Sequence, residues 1–325
     1  MPHVTFIHGI TNKLEKEKQH AAWLRELNHD GMFDLHARGV TTSLVYWADV
    51  LYEKPLDEAQ AQESVSNEHT GGETVTLTDD EDLAWIESLP KDQQAAVEKL
   101  RQRLNFDADA PSGDDAHMKD PYSQAEQEQL ENVDFERIPL PWFVKRRVMK
   151  VLLRDVHHYL FNTEHEPRPG ERFKVKDEIQ RRFIETMTAD AQQNANNGPH
   201  IVVSHSMGTV ISYDCLKHRA DCPPVSALMT IGSPLGLDEI QDMMPDWSRE
   251  DGFPSTHVAK NWTNVYDKLD PVAGFDPNLS NDYRKLSQPV VNDIKVTNSG
   301  RWRHSSWKYF QQESLKDALK DQLEL

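Results

Sequence analysis

Six short apolar runs punctuate the chain, and stretches with a helical period lie between them. Val4-Thr5-Phe6-Ile7 predicts a buried strand that stops at His8-Gly9-Ile10-Thr11. Leu14–Leu27 places Trp23, Leu24 and Leu27 on one side, which predicts an amphipathic helix, and Asn28 and Gly31 supply its stop. Val40–Tyr46 predicts a second strand. Ile201–Val203, Val225–Ile231, Asn261–Tyr266 and Val291–Val296 predict four more, with helices expected at Thr209–Leu216 and Trp307–Leu323. Buried strand alternating with helix is the signature of a parallel sheet covered on both faces.

From residue 52 to 170 the alternation lapses. Asp57–Thr70 and Asp107–Glu136 are polar and acidic, with almost nothing to bury, while Gln94–Leu104 reads as a helix with Ala96, Val97, Leu100 and Leu104 on one side. Leu140–Phe161 repeats Val144, Val148, Leu152, Val156 and Leu160 every four residues, opposite Arg146, Lys150, Arg154 and His158. Glu171 to about Asn194 predicts a long helix with Val175, Ile179, Phe183 and Met187 in line. The apolar content of 52–170 is too thin for a separate core. The expected organisation is therefore one α/β core, residues 1–51 and 171–325, interrupted by an acidic, mainly helical insertion. Leaving after the second strand, this insertion is anchored at the rim where such sheets carry their sites. Leu140–Phe161 is expected either to cover that site as a lid or to pack as a plain hairpin on the helix after it.

Composition narrows the function classes. With 325 residues, 37% hydrophobic and 28% charged, the chain can bury a sizeable core, and no apolar run approaches the length of a membrane span. The first residues run straight into a strand without signal-peptide features. Two cysteines, Cys215 and Cys222, favour a reducing compartment, so a cytoplasmic location is expected. A net charge of −18 repels nucleic acid at long range, and no nucleic-acid partner is expected. The basic stripe Arg146, Lys150 and Arg154 leaves a peripheral membrane contact open. No phosphate-binding glycine loop and no zinc spacing is present. Asp79-Asp80-Glu81-Asp82 lacks the spacing of a calcium loop. Neither cofactor nor metal is expected, and no oligomeric state follows.

The candidate chemistry sits at Ser204-His205-Ser206-Met207-Gly208. A serine between a strand and a helix, with small residues two positions either side, is thrust out on a strained turn. Such a turn presents Ser206 Oγ as a nucleophile and aims the Met207 N–H at the same point. A serine needs a base, and the base needs a carboxylate. His304, the one histidine after Asp270, lies between the last strand and the last helix. Asp267 and Asp270 both follow the penultimate strand; Asp270, before Pro271-Val272, is favoured as the acid and Asp267 as a turn cap. A second oxyanion donor is expected from the glycine turn after the first strand, from the N–H of Ile10 or Thr11. His8, Gly9, His205 and Leu235 are expected to border the substrate, although the His8 side chain suits a structural hydrogen bond better than a base. Cys215 reads as a small core residue.

Phe6-Ile7-His8-Gly9-Ile10, the Ser206 pentapeptide, Gly232-Ser233-Pro234-Leu235, Asp270-Pro271-Val272 and His304-Ser305-Ser306 together resemble the α/β-hydrolase superfamily. They look most like its lipase-like serine esterase branch, which includes the GPI inositol-deacylase-like hydrolases. The resemblance spans residues 1–51 and about 171–323. It implies an α/β-hydrolase fold, a doubly wound and largely parallel sheet lacking the first two strands. It also implies Ser206 as nucleophile, Asp270 as acid, His304 as base, and Ile10 and Met207 as oxyanion donors. The implied activity is hydrolysis of a carboxylic ester, of a lipid or another acyl compound, through an acyl-enzyme. A thioesterase or acyltransferase with the same triad is the alternative, as is a non-catalytic interaction module on this fold. Ser204 departs from the family pattern, which has glycine there.

Overall fold

The structure is a computed structural model and describes residues 1–57, 84–103, 153–194, 198–299 and 303–325. The strands are β1 (His3–Ile7), β2 (Thr41–Val45), β3 (Glu164–Arg168), β4 (Glu171–Lys174), β5 (His200–His205), β6 (Val225–Ile231), β7 (Val258–Tyr266), β8 (Arg284–Lys285), β9 (Gln288–Pro289) and β10 (Val291–Lys295). Six of them form one sheet in the order β10-β7-β6-β5-β1-β2, and every pairing in it is parallel. The six strands expected from the apolar runs are these six.

The helices are α1 (Lys16–Leu27), α2 (Ala48–Leu51), α3 (Ala84–Glu87), α4 (Lys91–Arg103), α5 (residues 153–160), α6 (Val175–Gln193), α7 (Met207–His218), α8 (Asp238–Gln241), α9 (Ser306–Phe310) and α10 (Glu313–Leu323). Alternate residues of each strand face opposite ways, so the sheet feeds two cores. Phe6, Leu44, Ile201, Val203 and Met229 pack with Trp23, Phe310 and Leu319 from α1, α9 and α10. Ile7, Val45, Val202, Leu228 and Trp262 pack with Ile179, Phe183, Val210 and Tyr213 from α6 and α7. Sandwiching between helices explains why these strands are apolar on both faces.

Several boundaries differ from the sequence expectation; β7, for one, begins at Val258 and not at Asn261. The helix expected from Glu171 begins at Val175, because β3 and β4 pair as an antiparallel hairpin around Pro169-Gly170, with Gly170 at φ 80°. The expected division at 170/171 therefore cuts a hairpin. The closing helix breaks at Gln311-Gln312 into α9 and α10. Of Leu140–Phe161, only 153–161 lie within the described residues; there Leu153, Val156 and Tyr159 join the core that α6 and α7 share. The apolar side of this part is engaged by the core.

The order of strands fixes where a ligand can sit. The chain goes from β1 to β2 on one side, and later strands build from β5 on the other. The connections after β1 and β5 therefore diverge at the carboxyl edge, where open sheets of this topology carry their sites. Gly9-Ile10-Thr11 follows β1 and Ser206 follows β5, so both lie at that edge.

Candidate active site

The turn after β5 holds Ser206 at φ 55° and ψ −128°, left-handed backbone that a residue with a side chain adopts only when its surroundings impose it. The imposition is visible. The Ser206 N–H donates to the Ile231 carbonyl at 3.0 Å, and the Ser206 carbonyl accepts from the Thr209 N–H and hydroxyl at 2.9 and 2.7 Å. Gly208 brings α7 against β1: a Cβ there would stand 2.7 Å from the His8 carbonyl oxygen and 2.8 Å from that of Ile7. Ser204 fits at the end of β5, where its hydroxyl donates to the Met229 carbonyl at 3.2 Å.

His304 reaches the turn from the segment before α9. Its Nε2 lies 2.8 Å from Ser206 Oγ, and its Nδ1 lies 2.9 Å from both carboxylate oxygens of Asp270. Asp270 is fully buried and accepts the N–H groups of Val272 and Ala273 at 2.7 and 3.1 Å and the Tyr309 hydroxyl at 2.6 Å. Burial works against its charge, but His304 and these donors outweigh burial and hold its carboxyl below the ordinary value. Proton acceptance at Nε2 would thus be met by a fixed negative charge at Nδ1. Gly232, at φ 55°, leaves room for this pair: a Cβ there would meet Asp270 Oδ2 at 3.0 Å and His304 Nδ1 at 3.3 Å.

Asp267 lies apart from this chain of bonds. One of its oxygens caps the turn through the Leu269 N–H at 2.8 Å, and the other accepts from the Asn298 N–H at 2.6 Å and from Arg303 at 3.3 Å. Its bonds are those of a turn cap with a buried ion pair, and the contact with His304 belongs to Asp270.

The side expected to supply oxyanion donors is formed by consecutive peptides after β1. The Trp47 N–H donates to His8 Nε2 at 3.0 Å, which puts the His8 proton on Nδ1, and Nδ1–H donates to the Gly9 carbonyl at 2.9 Å. Burial, with the charge of Lys13 adding to it, lowers the pKa of this imidazole to about 3, so it stays neutral. In a trans peptide the carbonyl and the next N–H point opposite ways. Holding the Gly9 carbonyl therefore turns the Ile10 N–H away from His8. Of the two expected donors, the Thr11 N–H is engaged by Asp155 Oδ2 at 3.2 Å, which leaves Ile10. The Met207 N–H, first of α7, has no acceptor within its own helix. Gly9 keeps the turn close: a Cβ on it would lie 2.5 Å from Ser206 Cβ.

The residues expected to border substrate are otherwise engaged. Both ring nitrogens of His8 are bonded, and its ring stacks on Trp47 at 4.8 Å. His205 Nε2–H donates to the His304 carbonyl at 2.7 Å, and its ring lies 4.8 Å from the His304 ring, so it steadies the backbone that carries His304. Leu235 is fully buried in the core and its carbonyl accepts from Gln241 and Tyr283. Tyr309, Asp155 and Trp47 escaped sequence reasoning; the one available signal was the position of Tyr309 on the helix just after His304.

Among the described residues, one group offers three metal-ligating side chains within 4.8 Å of one another: His3, Asp190 and His200. It lies at the amino end of β1 and β5, opposite Ser206. The Thr5 and Ser43 hydroxyls donate to Asp190 Oδ2 at 2.6 and 2.5 Å, and Thr5 Oγ1 also lies 2.8 Å from His200 Nε2. These buried groups satisfy one another. Cys215 and Cys222 are free and buried, and burial raises both thiols, that of Cys222 to about 12. Neither is a nucleophile at neutral pH. Among the described residues no helix is long and apolar enough to cross a membrane.

No family model matches the chain, and no curated protein does. Among solved structures it is similar to the crystal structure of an uncharacterized protein from Pseudomonas aeruginosa, at 11% identity and a TM-score of 0.34. That match covers 99% of this chain and 46% of the other.

Proposed function

We propose that the protein is a serine hydrolase with an α/β-hydrolase fold that cleaves carboxylic esters through an acyl-enzyme. The observation that carries this reading is one chain of contacts at a strained turn: Ser206 Oγ to His304 Nε2 at 2.8 Å, and His304 Nδ1 to Asp270 at 2.9 Å. Ser206 Oγ attacks the ester carbonyl while His304 Nε2 takes its proton, and Asp270 stabilises the imidazolium. The tetrahedral oxyanion is met by the N–H groups of Met207 and Ile10. His304 then protonates the leaving alcohol, and water, activated by the same nitrogen, releases the acid. The strain at Ser206 argues against a non-catalytic scaffold, because holding such a conformation costs about 1–3 kcal/mol. The two buried, unbridged thiols support a reducing, cytoplasmic setting.

The test is labelling by a fluorophosphonate probe, followed by p-nitrophenyl esters of rising chain length. The wild type is expected to label at Ser206, while Ser206→Ala and His304→Ala each lose about 10⁴-fold or more in turnover. An unlabelled wild type, or a His304→Ala variant with normal turnover, refutes the assignment.

A further inference from the structure

Among the contacts that the insertion makes with the loop after β1 is one from a buried carboxylate. Asp155, on α5, is 1% exposed, where an aspartate ordinarily stays in water. Its Oδ2 accepts the Thr11 N–H at 3.2 Å and the Tyr52 hydroxyl at 3.0 Å, and its Oδ1 accepts Arg154 Nε at 3.3 Å. Arg154 also donates to the Tyr52 oxygen at 2.9 Å. Thr11 is β-branched yet sits at φ 73°, a conformation such residues rarely adopt. At the other end of the same peptide, the Ile10 carbonyl accepts from Lys13 Nζ. The peptide that joins Ile10 to Thr11 is thus gripped from both sides.

A purely structural role would be filled better by an apolar side chain, since burying a carboxylate is expensive even when it is bonded. What only an acceptor does here is hold an N–H on a left-handed residue. That hold removes the Thr11 N–H from competition and fixes the backbone on the far side of Ile10. The His8 bond to the Gly9 carbonyl fixes the near side. Ile10 is then clamped between two immobile peptides.

We propose that Asp155 is a positioning residue for the oxyanion site, holding the Thr11 turn so that the Ile10 N–H faces the intermediate formed on Ser206. The site is then complete only while α5 is docked on the core, which makes the insertion part of the catalytic apparatus. This inference rests on the ester-hydrolase reading.

The experiment compares wild type, Asp155→Ala, Asp155→Asn and Tyr52→Phe with a short p-nitrophenyl ester and the fluorophosphonate probe. Labelling of the wild type at Ser206 checks the underlying reading; without it both ideas fall. Given labelling, Asp155→Ala is expected to lose about 100-fold in kcat, with KM within about threefold and the pH midpoint of kcat/KM unchanged, because His304 is untouched. Phosphonylation should slow in parallel, since its transition state uses the same donors. Asp155→Asn, whose amide oxygen still accepts from Thr11, should recover most of the activity. Tyr52→Phe, milder on folding, should lose less than tenfold. If Asp155→Ala does not fold, Asp155→Asn decides: a loss of about 100-fold in this folded variant, which keeps an acceptor for the Thr11 N–H, would contradict the proposal. So would a folded Asp155→Ala that keeps wild-type kcat and labelling rate while only its Tm drops.

Discussion

The Tyr309 hydroxyl donates to Asp270 Oδ2 at 2.6 Å, and its own phenol oxygen accepts the Asp267 N–H at 3.1 Å. One phenol thereby ties the favoured acid to the backbone of the competing aspartate. Tyr309→Phe removes both bonds and leaves two buried polar groups short of a partner. Stability is expected to fall by about 1–3 kcal/mol, and kcat by roughly tenfold with KM unchanged as Asp270 loses one of its restraints. Denaturant unfolding and steady-state kinetics on the same preparation check this; an unchanged kcat would make Tyr309 purely structural.

Gly9 has no room to grow. A methyl group there would meet Ser206 Cβ at 2.5 Å and Ser206 Oγ at 3.1 Å, far inside contact distance. Gly9→Ala is expected to push the β1 turn away from the nucleophile, with ester turnover down by about 100-fold or more and folding retained. Near-normal kcat in this variant would mean that the β1 turn supplies no donor.

The two aspartates should separate by assay. Asp270→Asn keeps the shape but offers His304 Nδ1–H a poorer partner, so turnover should fall by about 10⁴-fold in a folded protein. Asp267→Asn weakens the buried pair with Arg303 and the Asn298 contact. It is expected to lower Tm by several degrees and kcat by less than tenfold. A reversed pattern exchanges their roles.

Acid should unfold the protein through its histidines. Burial lowers the pKa of His8 to about 3 and of His200 to about 4, and pushes that of His205 well below the ordinary 6.5. Between pH 6.5 and about 4 the unfolded chain therefore binds protons at these rings that the folded protein refuses. Stability is thus present above 6.5 and is lost as pH falls, by up to about 1.4 kcal/mol per pH unit for each ring. Asp270, whose pKa is depressed, adds its loss only below the ordinary carboxylate range. Urea unfolding at pH 7 and pH 5 measures the slope, and His200→Gln should flatten it. A slope indifferent to that change would show that His200 titrates freely in the folded state.

The six parallel strands were legible because each is a short apolar run bounded by turn residues, and Ser206 because a strand, a serine between small residues and a helix occur within 14 positions. His304 and Asp270 followed from chain order. What stayed illegible were side chains whose partners are remote in sequence. Tyr309 reaches back 39 residues to Asp270, and Asp155 reaches 144 residues to Thr11. No period or motif encodes such pairs; only the packed sheet brings them together. The β3–β4 hairpin was missed for the opposite reason. Its local signal is Pro169-Gly170, but the helical line of Val175, Ile179, Phe183 and Met187 extends the expected helix back to Glu171, over the second of the two short polar strands.

Where the chain leaves the core for the insertion and where it returns lie side by side. His165 Nε2–H donates to the Leu51 carbonyl at 3.1 Å, and Arg168 donates to that of Asp49 at 3.2 Å. Two ends already fastened together make the length of what runs between them nearly irrelevant to the sheet, since each doubling of a closed loop adds only about 0.6 kcal/mol of entropy. A change of length between the two fastenings is expected to leave the six strands and the serine turn in register where it spares the side chains packed on the core: Ile86, Val97, Leu100, Leu153, Val156 and Tyr159. The stretch that carries Asp155 is the part such a change has to leave in place, because it holds the turn after the first strand.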